Sequence, residues 1–314
     1  EIIIFSDPPA DAFGTDAQDK KYLRYAIARF GAYPNVVWSL TNEWDFVCNP
    51  TDITCVNKFE SLGNIVRDED PWGKEGNALR ALSVHQRTKI DFLWFDSDWP
   101  SHASFQFGSK SGSTYTYGDE WGNKGVLNNL LLSKNQDKLP VVNDEYGYLG
   151  QFGSKGNLDD RKDHRNTIWG IYTAGGYGTF GDIRTFDNSE VILSSDWHDA
   201  PEYGDVKRMV DFFTTRNIEY WKMKSNNSLV TNGNRVYVLG QSGVAYIVYA
   251  ANGGSFTLDL PSLGSGNSYK VMKYNPATGV ENSLADISGE PKTFNFNSND
   301  DFVLLIKTTT TNAC

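Results

Sequence analysis

Residues 22–46 read YLRYAIARFGAYPNVVWSLTNEWDF. The first half sets Tyr22, Tyr25, Ala26, Arg29 and Phe30 near one face at three-to-four spacing and predicts a helix over 19–33. Pro34 ends it, because a proline ring disfavours helical backbone in the residue before it. The second half, NVVWSLTNE (35–43), is a short apolar run that predicts a strand and delivers Asn42 and Glu43 at its C-terminal end. Helix followed by apolar strand is the repeat of a parallel α/β fold.

The same alternation extends to both sides, up to about residue 218. Strands are expected at EIIIFSD (1–7), ALSVHQ (81–86), SHASFQFG (101–108), PVVNDEYGY (140–148) and GGYGTFGD (175–182), and helices at 125–136, 161–175 and 204–216. A run of βα units that long fits a barrel or a doubly wound sheet. Beyond it come RVYVLG, VAYIVYA, SFTLDLP, YKVMKYNP and DFVLLIK, separated by Gly, Asn, Ser and Pro turns, which predict a small antiparallel β-sandwich. Two domains are therefore expected, 1–218 and 219–314, joined near KMKSNNS (222–228).

A chain of 314 residues with 39% hydrophobic and 14% aromatic content is a folded one, which excludes disorder, coiled coil and collagen. With 29 Lys plus Arg against 39 Asp plus Glu, a formal charge of -10 and no basic cluster, nucleic acid is not an expected partner. No stretch approaches the ~18 to 20 apolar residues of a membrane span. The apolar start EIIIF is short and lacks a basic flank, so a signal peptide is expected to lie outside these residues.

Cys48 and Cys55 bracket the loop CNPTDITC, whose closure by a disulfide would contribute roughly 2.5 kcal/mol in an oxidising compartment; two unpaired thiols are the alternative. Cys314 is left over and could pair with a segment or chain outside this sequence. The sequon Asn226-Asn227-Ser228 and the end TTTTNAC fit a secreted, extracellular protein. No Cys/His spacing suits zinc and no glycine-rich phosphate loop precedes a helix, so neither metal nor cofactor is expected. His102, His164 and His198 read as surface or structural residues.

The informative residues are Glu43 and Glu145, each at the C-terminal end of an apolar strand, the rim where a barrel assembles its chemistry. Aromatic neighbours such as Trp38, Trp44 and Tyr146 would desolvate such a carboxyl and favour its protonated form, as a general acid needs. Two facing carboxyls are the minimum machinery for glycoside hydrolysis. Asp144 is the nearest competitor, and strand alternation would turn it away from the side of Glu145.

Residues 22–46, the later VVNDEYGY and the stretch IWGIYTAGGYGTFGD together resemble the apiosidase-like group of barrel glycosidases. The Asn-Glu pair ending one strand and the glutamate ending a later one also resemble the wider clan of retaining barrel hydrolases, glycoside hydrolase clan A. The resemblance implies a (β/α)8 TIM barrel with Glu43 as acid/base on strand four, Glu145 as nucleophile on strand seven, and Asn42 bonded to the sugar 2-hydroxyl. The carboxyls would then stand ~5 to 5.5 Å apart. His85 matches a position where a histidine points into the pocket. Gln106 and Asp7 end strands by the same logic, and Trp44, Trp121 and Tyr146 could stack on sugar faces.

RVYVLGQSGVAYIVYAANGG and YKVMKYNPATG resemble the small sandwich that follows the barrel in these proteins, sometimes labelled collagen-binding. EIIIFSD aligns with the third strand of the family. Two βα units, ~60 or more residues of a ~250-residue barrel, are thus expected upstream, in a longer precursor or a separate docked chain; a rearranged, incomplete barrel is the alternative. Two functions follow: a retaining glycosidase acting on an extracellular or cell-wall glycan, or a structural or glycan-binding protein of an extracellular assembly built on that fold.

Overall fold

The computed structural model describes residues 1–5, 14–72, 82–86, 92–105, 139–144, 148–149, 161–178, 181–182, 201–263, 267–296 and 299–309. Two units divide the chain, one within Glu1–Phe107 and Asp137–Glu145, the other within Gly108–Gln136 and Tyr146–Cys314. The expected helix at 125–136 lies outside the described residues. Among those residues no helix is long and apolar enough to cross a membrane.

In the first unit, β1 (Ile2–Phe5), β2 (Trp38–Thr41) and β3 (Leu82–Ser83) pair in parallel in that order, Ile2 beside Trp38 and Trp38 beside Leu82. β4 (His85–Gln86), β5 (Ala103–Phe105) and β6 (Val141–Asn143) also pair in parallel, His85 beside Ser104 and Ser104 beside Val142. The strand expected over 81–86 therefore breaks at Val84: its first half bonds β2 and its second half bonds β5. That break hands His85 from one sheet to the next.

α1 (Asp16–Phe30) is capped by Thr15, whose hydroxyl accepts from the Gln18 N–H while the Gln18 side chain accepts from the Thr15 N–H. Its buried residues are Asp19, Leu23, Ala26 and Ile27, and Tyr22, Tyr25 and Phe30 are exposed. The packed face thus differs from the aromatic one that the spacing suggests. Asp19 can be buried because Lys58 pairs with it and the Gly14 N–H donates to it at 2.9 Å.

After β2 come α2 (Trp44–Val47) and α3 (Ile53–Glu69), the latter not among the helices expected from the sequence. Asp52 caps α3 by accepting from the Thr54 N–H at 2.9 Å, and Phe59, Leu62, Gly63 and Val66 form its buried stripe. Cys55 in its first turn is disulfide-bonded to Cys48, Cα to Cα 5.9 Å. Trp44, Phe59, Trp94 and Trp99 meet edge-on or tilted in the core, with Trp44 and Trp94 at 4.8 Å between ring centroids. Gly63 lets α3 lie against the face of Trp99, since a Cβ there would come within 2.2 Å of the indole.

The second unit holds β7 (Tyr148–Leu149), α4 (Arg161–Thr173), β8 (Tyr177–Gly178), β9 (Gly181–Asp182) and α5 (Pro201–Thr214), with β7 and β9 paired in parallel. Then follow β10 (Lys224–Ser225), β11 (Val230–Thr231), β12 (Val236–Gln241), β13 (Ala245–Ala250), β14 (Gly254–Leu258), β15 (Tyr269–Tyr274), β16 (Glu281–Ile287), β17 (Lys292–Phe296) and β18 (Phe302–Thr308). They form a six-stranded sheet, β10-β12-β13-β18-β15-β16, and a three-stranded one, β11-β14-β17, both antiparallel. Alternate residues such as Val238, Tyr246, Val248, Leu304 and Ile306 pack with Phe256, Leu258 and Phe294 in one apolar core. The sandwich expected after residue 218 is present.

α4 and α5 precede residue 218 in sequence yet pack with the sandwich. Trp169 of α4 stacks on Tyr249 of β13 at 5.6 Å and meets Phe212 of α5 edge-on at 5.4 Å. Arg165 is buried and bonds Asp301 at 3.0 and 2.8 Å, while Tyr249 donates to Asn166 at 2.6 Å and to Asp301 at 3.1 Å. His164, on the same helix, is fully buried.

Candidate active site

Asn42 and Glu43 leave the end of β2 half-buried. Glu43 holds φ 42 and ψ 54, the left-handed region, where a side chain with a Cβ is strained. The chain turns sharply there because Thr41 is still tied to the sheet, its hydroxyl donating to the Phe5 carbonyl at 3.0 Å, while Trp44 already sits in the core. Strained backbone of this kind concentrates at sites of function, and here it falls on the residue selected from the sequence. Trp44 itself is fully buried among Phe59 and Trp94, so as folded it packs and presents no face to a sugar.

His85 on β4 is the centre of a polar cluster, its ring 3% exposed. Nδ1 lies 3.0 Å from Asn42 Oδ1, and Nε2 lies 3.0 Å from Glu1 Oε1 and 3.0 Å from Asp144 Oδ2. The Ser104 hydroxyl donates to the same Asp144 oxygen at 2.7 Å. Burial would push the His85 pKa down, but the hydrogen bonds and charges of Asp144 and Glu1 outweigh it and raise it to about 10. Burial likewise opposes ionisation of Glu1, and the bond to His85 overcomes it and lowers the Glu1 pKa. His102, next to this cluster, has its pKa lowered by burial and by the His85 charge, against the pull of Glu1 and Asp144.

The ligand atoms of Glu1, His85 and Asp144 lie within 4.8 Å of one another, the spacing of a small metal site. As folded, the His85 ring stands between the two carboxylates and offsets one of their two charges. The arrangement reads as an ion-pair cluster.

Of the residues singled out from the sequence, Asn42 and His85 meet directly, and Glu43 adjoins Asn42. Glu145, Tyr146, Gln106, Asp7 and Trp121 lie outside the described residues, as do His198 and Cys314. The sequon residue Asn226 precedes a turn beside β12, its Nδ2 donating to the carbonyls of Lys224 and Gly240, each at 3.3 Å. Asp144, expected on the side away from Glu145, joins the cluster; Glu145 lies outside the described residues. Ser104 and Glu1 carry no signal in the sequence that could have marked them.

The sequence matches the family described as apiosidase-like, catalytic domain, over residues 8–222. No curated protein matches it. Among solved structures, a glycoside hydrolase family 5 protein from Bacteroides vulgatus superposes with a TM-score of 0.70 at 16% identity, over 93% of this chain and 66% of that one. Another, described as a glycoside hydrolase, gives 0.72 at 16% identity, over 95% and 70%. A noncanonic maltogenic alpha-amylase from Thermotoga neapolitana gives 0.57 at 9% identity, over 93% and 65%. At these identities the likeness is one of fold, and the chain spans about two thirds of the length of each of these structures. The expected mixed α/β architecture is thus that of glycoside hydrolases, with an antiparallel sandwich at its C-terminal end, and this chain belongs to the apiosidase-like glycosidase family.

Proposed function

We propose that the protein is a retaining glycoside hydrolase acting on an extracellular or cell-wall glycan, with Glu43 as acid/base and Glu145 as nucleophile. The observation that carries this reading is the end of β2, where Glu43 sits in a strained left-handed turn beside an Asn42 held by His85. In the first step Glu145 attacks the anomeric carbon while Glu43 gives its proton to the departing oxygen, leaving a glycosyl ester. In the second, Glu43 takes a proton from water, which attacks the same carbon and releases Glu145. Asn42 bonds the sugar hydroxyl next to the anomeric carbon throughout.

The Cys48–Cys55 disulfide supports an oxidising, extracellular compartment. The partner expected from the sequence, a further segment or a separate chain completing the barrel beside β1, remains part of the proposal. Among the described residues β1 pairs with β2 alone, and Ile3 is 43% exposed.

A screen of aryl glycosides tests the reading, with Glu145→Gln and Glu43→Gln as variants. Glu145→Gln should abolish turnover with an unchanged melting temperature. Glu43→Gln should spare the first step only for activated leaving groups, which need little acid assistance. Equal slowing of both leaving-group classes in Glu43→Gln would remove it from the acid role.

A further inference from the structure

A primary amide can face a substrate in two ways, with its oxygen as acceptor or its NH2 as donor. Beside Glu43 that choice is made by His85. Its Nδ1 is 3.0 Å from Asn42 Oδ1, so a ring N–H engages the amide oxygen and the donating end of the amide is set to the other side. The ring is fixed in turn, with Nε2 3.0 Å from Asp144 Oδ2 and 3.0 Å from Glu1 Oε1. Both nitrogens thus face oxygens that can only accept, and the one state that satisfies both is the imidazolium. Asp144 is itself held by Ser104, whose hydroxyl donates to it at 2.7 Å. Among the described residues, the charged or titratable groups facing the ring are Asp144 after β6, Glu1 before β1 and His102 before β5.

We propose that Asp144 and His85 are positioning residues that set the Asn42 amide as a hydrogen-bond donor, so that the site selects glycosides whose hydroxyl beside the anomeric carbon can accept that bond. The proposal rests on the glycosidase reading above and goes beyond it by giving Asp144 and His85 a task, setting which end of the Asn42 amide faces the sugar. With two carboxylates against Nε2 the doubly protonated ring is favoured, and its second proton, on Nδ1, faces Asn42. With a neutral amide at 144 only Glu1 still holds Nε2, the imidazolium is less favoured, and a neutral ring protonated on Nε2 would present a bare Nδ1 against which the Asn42 amide can turn over.

The experiment takes the aryl glycoside that the wild-type protein turns over fastest and its 2-deoxy analogue. It compares kcat/KM for the wild type, Asp144→Asn, His85→Ala and His85→Gln. Asp144→Asn and His85→Ala should lower kcat/KM about 10- to 100-fold on the hydroxylated substrate and change it little on the deoxy one. His85→Gln, whose own NH2 can hold Asn42 Oδ1, should recover part of the selectivity. Equal losses on both substrates, as a structural role would give, overturn the proposal. Should Asp144→Asn fail to fold, the two His85 variants carry the same comparison.

An NMR titration of the His85 ring separates this proposal from the reading beneath it. In the wild type the ring should keep both protons past pH 8 and lose one earlier in Asp144→Asn, with a shift of the Asn42 amide resonances. A neutral wild-type ring at pH 7, or unmoved Asn42 resonances, overturns the proposal. If no aryl glycoside is turned over, the retaining reading fails and the titration alone decides the positioning chain.

Discussion

Arg165 on α4 grips Asp301, the residue before β18, through two hydrogen bonds of 3.0 and 2.8 Å, and Asp301 is only 3% exposed. A second buried carboxylate, Asp205, lies 3.4 Å from the same guanidinium and is also bound by Arg161 and Arg208. Removing one partner of such a pair strands a charge away from water. Arg165→Met is expected to cost about 3–5 kcal/mol in urea unfolding, and Arg165→Lys to recover only part, because an ammonium cannot make the paired bonds. A loss below about 1 kcal/mol would mean that water reaches Asp301 and the pair is worth no more than a surface one.

Gly63 offers a test in which two effects oppose. Alanine gains about 1 kcal/mol of helix propensity over glycine, whereas a methyl group forced into a packed ring costs about 1–3 kcal/mol. The added Cβ would stand 2.2 Å from Trp99, so the packing cost should win and Gly63→Ala should lower the melting temperature. A raised melting temperature would show that Trp99 can move aside.

The Cys48–Cys55 bond closes a short loop, with a sequence separation of 7. Chain entropy gives such a closure about 2.5 kcal/mol. Cys48→Ser with Cys55→Ser should therefore unfold more easily by roughly that amount and become indifferent to reductant. A wild type that is equally indifferent to reductant would place no stability in the bond.

His85 makes stability depend on pH in a defined direction. Its pKa is raised from the ordinary 6.5 to about 10 by Asp144 and Glu1 against the opposing effect of burial, so the folded state holds a proton that the unfolded state releases. The contribution is fully present below about pH 6.5 and is lost as pH rises toward about 10. The stability gap between wild type and His85→Gln, followed by urea midpoint, should narrow over that window. A gap that widens with pH would mean the ring is neutral in the folded protein.

The sequence exposed what depends on local pattern. The run from Val36 to Leu40 is apolar and follows a proline, so β2 and the position of Asn42 and Glu43 could be read directly. Tyr22 and Tyr25 misled because tyrosine tolerates both water and packing; Leu23, Ala26 and Ile27 carry the actual face of α1. Polar residues between Phe59, Leu62 and Val66 hide α3, and a tryptophan such as Trp44 after a buried strand is as readily core as sugar platform. The contact of Asp144 with His85 could not be read from the sequence: it arises where β6 stops and the strand at Val84 changes partner, and both events depend on neighbours distant in the chain. The left-handed turn at Glu43 has the same origin.

The packing of α4 against β12 and β13 bears on how such proteins can be recombined. The seam near residue 218 is visible in the texture of the sequence, but Arg165, Asn166 and Trp169 find their partners at Asp301 and Tyr249 beyond it. A chimera cut at that seam would inherit a helix carrying a buried cation, an amide and an indole, each shaped to a sandwich it no longer has. The sandwich is therefore no detachable appendage: among the described residues α4 and α5 pack on it and would lose those partners at such a cut.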